Sequence, residues 1–150
     1  MFDPHLEFAM PAWSPWTEWV KKTLQKVQQR AIEMVSGLNS NGYEDRLKEQ
    51  GMETLEERRH QADKCMTRNI MHIRGMLDPN TWFDKPQTTR GLRSAADPLN
   101  VKKRHGKMEI RTNFFSIRAA HQWNHVPTEA KALETTGMLK VSYKQLRRQL

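Results

Sequence analysis

The sequence predicts a mainly α-helical protein: a small helical bundle with two long amphipathic helices, a basic loop or short β-hairpin, and C-terminal helices. Two segments, 16–38 and 55–77, repeat apolar residues at intervals of three and four, which is the period of one helix face. Helix-start signals precede both segments, Ser14-Pro15 before the first and Thr54 with Glu57 before the second. A mean hydropathy of −0.86 is low for one compact core, so we expect sparse apolar residues to be well placed or to meet a partner.

The first two predicted helices precede residue 40. Asp3 followed by Pro4 predicts a short helix that ends near Ala12. Ser14-Pro15 predicts a long helix that reaches about Leu38, with its apolar residues within one stripe about 100° wide. This stripe needs a partner surface, and the later helices are the candidates. It consists of Trp16, Val20, Leu24, Val27, Ala31, Met34, Val35 and Leu38.

The next two predicted helices have clear end signals. A short helix over about 43–50 ends before Gly51, a residue suited to the position after a helix. Thr54 and Glu57 form a capping box for a second long helix from about residue 55 to 77. Arg59 lies on its inner face and Cys65 at the edge of that face. The apolar residues of the face are Leu55, Ala62, Met66, Ile70, Ile73, Met76 and Leu77.

The chain changes character after residue 83, which predicts three parts: a helical subdomain over 1–83, a basic linker or hairpin over 84–112, and a C-terminal helical segment over 113–150. The hairpin alternative pairs 99–103 with 107–111 around His105-Gly106. Thr112 or Asn113 caps a largely buried helix that contains Phe114 and ends near Asn124. A helical turn after Thr128 and a helix from about Met138 follow.

Charge is divided unevenly along the chain. The net charge is +8, with −1 over residues 1–83 and +9 over residues 84–150. A neutral half joined to a basic half is typical of a protein that binds a polyanion, and a basic surface kept for solubility is the alternative.

Cysteine usage and hydropathy indicate an intracellular chain, either nuclear or cytoplasmic. Cys65 is the only cysteine, which excludes an internal disulfide and fits a reducing compartment. No run of about 18 apolar residues is present, and the start of the chain has no signal-peptide pattern. We therefore expect no membrane partner.

Two motifs resemble catalytic or metal sites without meeting their requirements. The run from Tyr43 to Asp45 superficially resembles the Tyr-x-Asp-Asp of polymerases, but that motif needs adjacent carboxylates on a strand turn. His121 and His125 have the four-residue spacing of zinc ligands on a helix. No Glu follows the first of them and Pro127 removes the next helical turn, so packed or exposed histidines are the preferred interpretation.

Other reactive groups are equally isolated. On a helix, His60 points away from Cys65 and His72, so the three cannot share a ligand. No Gly-x-Ser-x-Gly, phosphate-binding glycine loop or apolar acidic pair is present. We predict no catalytic residue, no cofactor and no metal for this chain.

The pattern that favours a function is a set of cations in the second half. Five permanent charges fall between Lys102 and Arg111, a density suited to phosphate contacts that do not read sequence. Trp19, one turn from Lys22, is a candidate for stacking on a base, although packing against another element is the preferred interpretation. The candidate phosphate-binding residues are Arg90, Arg93, Lys102, Lys103, Arg104, Lys107, Arg111, Lys140, Lys144, Arg147 and Arg148.

Eight short motifs occur in order over nearly all of residues 4–148. They are PHLEFA (4–9), AWSP (12–15), KVQQRA (26–31), YEDRL (43–47), LEERR (55–59), TRG (89–91), FFSIR (114–118) and WNHVP (123–127). Together they resemble the C-terminal part of a LINE-type, jockey-like non-LTR retrotransposon reverse transcriptase. The resemblance implies a thumb and post-thumb region that holds RNA template and growing cDNA beside a palm carrying the catalytic carboxylates.

The chain departs from that family in ways that bear on function. The fingers, palm and metal-binding aspartates of such enzymes are absent, so we expect no polymerisation by this chain alone. The resemblance therefore implies a non-catalytic nucleic-acid-binding fragment, with RNA, DNA or hybrid and the palm region as partners. A non-functional relic of a mobile element and a co-opted helical protein-interaction module are the alternatives.

Overall fold

The computed structural model describes residues 9–34, 42–72, 77–85, 97–133 and 135–141. These residues are mainly helical, which confirms the predicted fold class, and none of them forms a strand. No helix in the described ranges is both long and apolar enough to cross a membrane. Residues 136–141 are helical in addition to the elements named here. The helices are α1 Met10–Trp13, α2 Glu18–Glu33, α3 Tyr43–Glu49, α4 Leu55–His72, α5 Pro79–Trp82, α6 Glu109–Thr112, α7 Phe115–Asn124 and α8 Thr128–Lys131.

The chain forms two compact units, unit 1 over Met1–His60 and unit 2 over Gln61–Leu150. The boundary between them falls within α4. The predicted division into 1–83, 84–112 and 113–150 stays a prediction.

Unit 1 has a small core between α2 and α3. Ile32 and Leu47 are buried there, with Tyr43 and Met52 packed against them. The buried amide of Gln28 accepts a hydrogen bond from the Tyr43 hydroxyl at 2.9 Å and donates to the Glu53 carbonyl at 3.3 Å. This polar side chain therefore links α2 to α3 and to the segment that follows it.

The predicted stripe of α2 is wrong in its orientation. Val20 and Leu24 are half-buried, but Trp16, Val27, Ala31 and Met34 are exposed. The buried side, centred on Gln28 and Ile32, is rotated by roughly a quarter turn from the stripe. The reason is that Tyr43 and Glu53 satisfy the Gln28 amide, so this polar side chain can lie on the buried side of the helix. Val35 and Leu38 lie outside the described residues.

The signals at the ends of α3 and α4 are confirmed. Gly51 has φ of +62°, a left-handed conformation that favours glycine after a helix. The Thr54 hydroxyl accepts from the Glu57 amide at 3.3 Å, and the Glu57 carboxylate accepts from the Thr54 amide at 3.1 Å. Both hydrogen bonds of the capping box are therefore formed.

Helix α4 buries more charged residues than predicted. Leu55, Arg59 and Ile70 are buried, and Ala62, Met66 and Cys65 are half-buried. Leu77 lies outside the helix and is exposed, so its assignment to the inner face is wrong, while Ile73 and Met76 fall outside the described residues. The unpredicted buried positions are Asp63, Lys64, Thr67 and Arg68.

Unit 2 contains the larger core, built around α7. Phe115 packs edge-on against Trp82 at 5.9 Å and Phe83 at 6.0 Å between ring centroids. Ala119 and Ala120 are small buried residues of α7, and they leave room for the other members of this core beside the helix. The buried members are Ile70, Phe83, Val101, Phe115, Ala119, Ala120, Trp123, Val126, Ala130 and Leu139.

Of the two alternatives for the basic region, the described residues form a loop. Residues 101–106 are irregular, and α6 occupies the place of the second hairpin strand. The hairpin is absent because other elements supply the partners that an opposite strand would. The Asn124 side chain hydrogen-bonds both backbone groups of Val101, and the backbone carbonyl of Asp84 accepts from the Lys102 amide.

Candidate nucleic-acid interface

A buried ammonium group anchors the loop that precedes the cationic residues. Lys131 on α8 has an exposed fraction of 1% and donates to Asp97 at 2.7 Å and to Asn100 at 2.6 Å. Its Nζ also lies 5.8 Å from the centroid of the Trp123 ring. Because a buried cation is costly unless paired, these contacts hold the start of the loop firmly against α8.

Asp97 is the acceptor at the centre of this anchor. Burial is the largest influence and raises the pKa of its carboxyl, but hydrogen bonds from Lys131, the Leu99 amide and Thr128 together outweigh it. The pKa of Asp97 therefore lies below its ordinary value, and the carboxylate stays charged at neutral pH.

The end of α7 holds the next part of the loop. The Trp123 indole donates to the Leu99 carbonyl at 2.8 Å. The Asn124 side chain accepts from the Val101 amide at 3.0 Å and donates to the Val101 carbonyl at 2.8 Å. Val101 is buried, so the chain is fixed to the core just before it reaches the exposed cations.

Residues 102–111, here called the basic segment, begin beside Asp84. The Asp84 carbonyl accepts from the Lys102 amide at 2.8 Å, and its carboxylate accepts two hydrogen bonds from the Arg104 guanidinium. The hydrogen bond from Arg104 lowers the pKa of Asp84, and the same bond raises the pKa of Arg104. Arg104 is therefore occupied by an internal carboxylate in the free protein.

A close approach at Gly106 shapes the middle of the basic segment. A β-carbon on Gly106 would lie 2.8 Å from the Thr112 amide nitrogen, so only glycine fits without movement. The Thr112 hydroxyl donates to the Gly106 and Met108 carbonyls at 3.3 and 3.1 Å. The loop thereby folds back onto α6.

The cations of the basic segment are presented to solvent. Residues 102–105 and 107–112 are all exposed. Lys102, Lys103, Lys107 and Arg111 form no ion pair with a carboxylate in the described part of the chain. Four of the five predicted charges are thus available to an external anion, and the fifth belongs to Arg104.

The other predicted phosphate contacts lie elsewhere. Lys140 is exposed but lines a small pocket with Lys64, Cys65 and Ala130 of α8. The remaining candidates fall outside the described residues, and they are Arg90, Arg93, Lys144, Arg147 and Arg148.

Trp19, the predicted stacking candidate, belongs to unit 1. Its exposed fraction of 76% contradicts the preferred packing interpretation, because no element among the described residues covers the ring. The basic segment belongs to unit 2.

The histidine pair of α7 lies near the basic segment. The imidazole centroids of His121 and His125 are 4.7 Å apart, and the Nδ1 of His125 is 2.6 Å from the His121 carbonyl oxygen. Partial burial lowers the pKa of His121, and the charges of Lys103 and His125 lower it further. No group of three metal-ligating side chains occurs among the described residues.

The structure also describes the residues of the other rejected motifs. The Tyr43 hydroxyl bonds Gln28, and Asp45 is an exposed residue in the first turn of a helix rather than of a strand turn. Burial raises the pKa of the Cys65 thiol, which outweighs the nearby positive charges of Lys140, Arg68 and Lys64. The thiol is therefore protonated at neutral pH.

Sequence reasoning missed the residues that position the basic segment. Asn124, Lys131 and Asp97 act through hydrogen bonds between residues 23 to 34 positions apart, which no periodicity reveals. Phe114 was assigned to a largely buried helix, but it precedes α7 and is exposed. The signal for Phe114 is its position beside Phe115, since adjacent residues of a helix point about 100° apart and Phe115 takes the core side.

No family model, curated protein or solved structure matches this chain. The arrangement of charges in unit 2 is therefore what supports a function.

Proposed function

We propose that this chain is a non-catalytic nucleic-acid-binding module that holds the phosphate backbone on the basic segment of unit 2. One observation carries the proposal: Lys102, Lys103, Lys107 and Arg111 are exposed and form no ion pair with a carboxylate among the described residues, on a segment that the core holds in place. Such cations form charge-assisted contacts with phosphate and release the counterions of a nucleic acid.

The charge of the basic segment suits a polyanion. The basic segment carries five cations and one carboxylate, Glu109. Anchoring by Val101 and Asp84 reduces the conformational entropy that binding must remove. Backbone contacts of this kind bind without reading the base sequence.

The resemblance to a retrotransposon reverse transcriptase supports a specific form of this proposal. In that form the chain holds an RNA template and its cDNA as a duplex, beside a palm region that supplies catalysis. The all-helical character of the described residues is compatible with a thumb-like role.

Fluorescence anisotropy with an RNA–DNA hybrid, duplex DNA and single-stranded RNA, each over a series of salt concentrations, tests the proposal. Lys102, Lys103, Arg104 and Lys107 are changed together to Gln. Because each phosphate contact contributes about 0.9 to the slope of log affinity against log salt, we expect the slope to fall by about three. Arg104 contributes less because Asp84 holds it.

A matched control removes the same charge from unit 1. Lys22, Lys26, Arg30 and Lys48 are exposed, so changing them to Gln alters net charge equally without touching the basic segment. An unchanged slope in the first variant, or an equal loss in both, contradicts binding at the basic segment. A preference for the hybrid that persists near 150 mM salt, roughly physiological, supports the duplex form. Weak binding that vanishes with salt, together with a coil-like circular dichroism spectrum, supports the relic alternative.

A second candidate function, protein interaction through α2, is favoured by exposed apolar residues on that helix and at its two ends. Trp19 and Val27 lie on α2, Trp16 precedes it and Met34 follows it, and all four are exposed. Single-sided apolar surface of this kind is typical of helix docking. Sedimentation velocity at about 0.5 M salt, where exposed charges are strongly screened, tests it. Association that persists there and is lost in Trp19→Glu supports the interaction module, and a monomer that does not associate counts against it.

A further inference from the structure

One aromatic ring of unit 2 faces solvent at the end of the basic segment. The side chain of Phe114 has an exposed fraction of 58%, whereas that of Phe115, its neighbour, has 6%. Phe114 is the one Phe, Trp or Tyr among the described residues of unit 2 that is mostly exposed. Phe115 occupies the core position, so the exposure of Phe114 leaves no gap in the core.

The backbone of Phe114 is held from both sides. Its amide donates to the Arg111 carbonyl at 3.1 Å, and its own carbonyl accepts from the Ile117 and Arg118 amides at 3.0 and 3.1 Å. Arg118 also donates to the Asn113 carbonyl at 2.7 Å. The ring is thus presented on fixed backbone, so a planar ligand that stacks on it costs little conformational entropy.

Two exposed cations precede the ring in the chain. Arg111 and Lys107 lie three and seven residues before Phe114, and neither has a carboxylate partner among the described residues. The Arg111 carbonyl accepts from the Phe114 amide, so these two residues share one turn. An exposed ring that follows exposed cations in the chain complements a ligand with a planar part and an adjacent anionic part.

We propose that Phe114 is a stacking site for an unpaired base, while Lys107 and Arg111 contact the adjacent phosphates. This inference rests on the proposed function and deepens it, because an exposed π-face selects single-stranded nucleic acid or the unpaired end of a duplex. Every base has a π-face, so the site tolerates any sequence. An anionic membrane fits less well, since the exposed carboxylate of Glu109 lies between Met108 and Ile110 and would be brought to the lipid surface.

The test compares two strands of equal charge. A fluorescent 12-unit oligothymidylate and a 12-unit abasic strand carry the same phosphates, and only the first can stack. We expect the protein to bind the base-bearing strand about 5- to 150-fold more tightly, the range for one stacked base. Phe114→Ala should remove this preference and leave binding to the abasic strand unchanged, while Phe114→Trp should retain the preference. Trp19→Ala, an exposed aromatic change in unit 1, is the matched control and should also retain it.

Three results would overturn the inference. If the unchanged protein binds both strands equally, the proposed phosphate binding stands and the proposed stacking on Phe114 is excluded. A preference that survives Phe114→Ala removes Phe114 from the site. Binding to neither strand, with Phe114-dependent binding to phosphatidylserine vesicles, removes the proposed function as well and assigns the surface to a membrane. Thermal melting of Phe114→Ala, which should match that of the unchanged protein, shows that any loss is not a loss of folding.

Discussion

Asp63 on α4 and Arg118 on α7, 55 residues apart, form a two-point ion pair with distances of 2.8 and 3.0 Å. The Asp63 side chain has an exposed fraction of 2%, and that of Arg118 has 14%. Arg118 also donates to the Asn113 carbonyl, so it connects the helix pair to the turn that carries Phe114. The pair thus joins the core of unit 2 to the end of the basic segment.

Loss of one partner should destabilise unit 2 strongly. Arg118→Met removes the two-point ion pair of the buried Asp63 carboxylate, which costs about 3–5 kcal/mol in free energy of unfolding. Urea unfolding followed by circular dichroism measures this change. Lys21→Met, which removes the exposed Lys21–Glu18 pair, is the control and should leave the midpoint unchanged.

The double variant Asp63→Leu with Arg118→Met tests whether the two residues act as a pair. If they do, the double variant is destabilised by less than the sum of the single variants, because each single substitution already breaks the ion pair that the other would break. Additive losses would show that each residue stabilises unit 2 independently.

The sequence allowed accurate prediction where local chemistry decides the outcome. The capping box of Thr54 and Glu57 and the glycine at position 51 depend only on residues within one turn, and the structure has both. The helices around them follow from the same local signals and from apolar periodicity.

Prediction failed where distant contacts override the local pattern. Gln28 is buried because Tyr43 and Glu53 satisfy its amide, so the apolar stripe of α2 does not mark the buried side. Burial of Asp63 depends on Arg118, a residue 55 positions away. The cationic residues were visible in the sequence, but the contacts of Asp97, Lys131 and Asn124 that hold them could not be derived from it.

Removal of the internal competitor of Arg104 should strengthen nucleic-acid binding. Asp84→Asn deprives the Arg104 guanidinium of its carboxylate, so a fifth cation becomes available to phosphate. We expect tighter binding and an increase of about one in the steepness of the salt dependence. Anisotropy over a salt series measures both. Glu44→Gln, an equal charge change at an exposed position of unit 1, should have a much smaller effect on the slope; equal effects would contradict this role for Arg104.

Binding should also strengthen as pH falls toward 5.5. The pKa of His121 lies below its ordinary value of about 6.5, so its imidazole is neutral at pH 7. A phosphate bound near Lys103 favours the protonated imidazole, and protonation is therefore coupled to binding. Affinity measured at pH 7.5 and 5.5 should differ several-fold less in His121→Gln than in the unchanged protein, whereas His60→Gln in unit 1 should behave like the unchanged protein. An identical pH profile in His121→Gln would exclude His121 from the interface.

Acid should loosen the anchor of the basic segment at Asp97. Because the pKa of Asp97 is lower in the folded state than its ordinary value of about 3.9, the carboxylate stabilises unit 2 fully above that value. This contribution is lost as pH falls through the lower, folded-state pKa, where Asp97 takes up a proton and its contact with Lys131 weakens. In urea unfolding between pH 6 and pH 2.5, Asp97→Asn should be less stable than the unchanged protein at pH 6, and the difference should shrink below about pH 4.

Two variants distinguish the effect of Asp97 on acid stability from the effects of other carboxylates that titrate in the same pH range. Asp84, whose pKa is also lowered, has a side chain that is 41% exposed and forms its ion pair with Arg104 of the basic segment, so Asp84→Asn should keep nearly all of the acid-dependent loss of stability. Glu44→Gln should keep it entirely. The contact of Asp97 with Lys131 also positions the basic segment, so the oligonucleotide affinity of Asp97→Asn at pH 7 should fall although no cation has been removed. A difference in stability that stays constant from pH 6 to pH 2.5 would show that the Asp97 carboxylate does not hold the anchor through its charge.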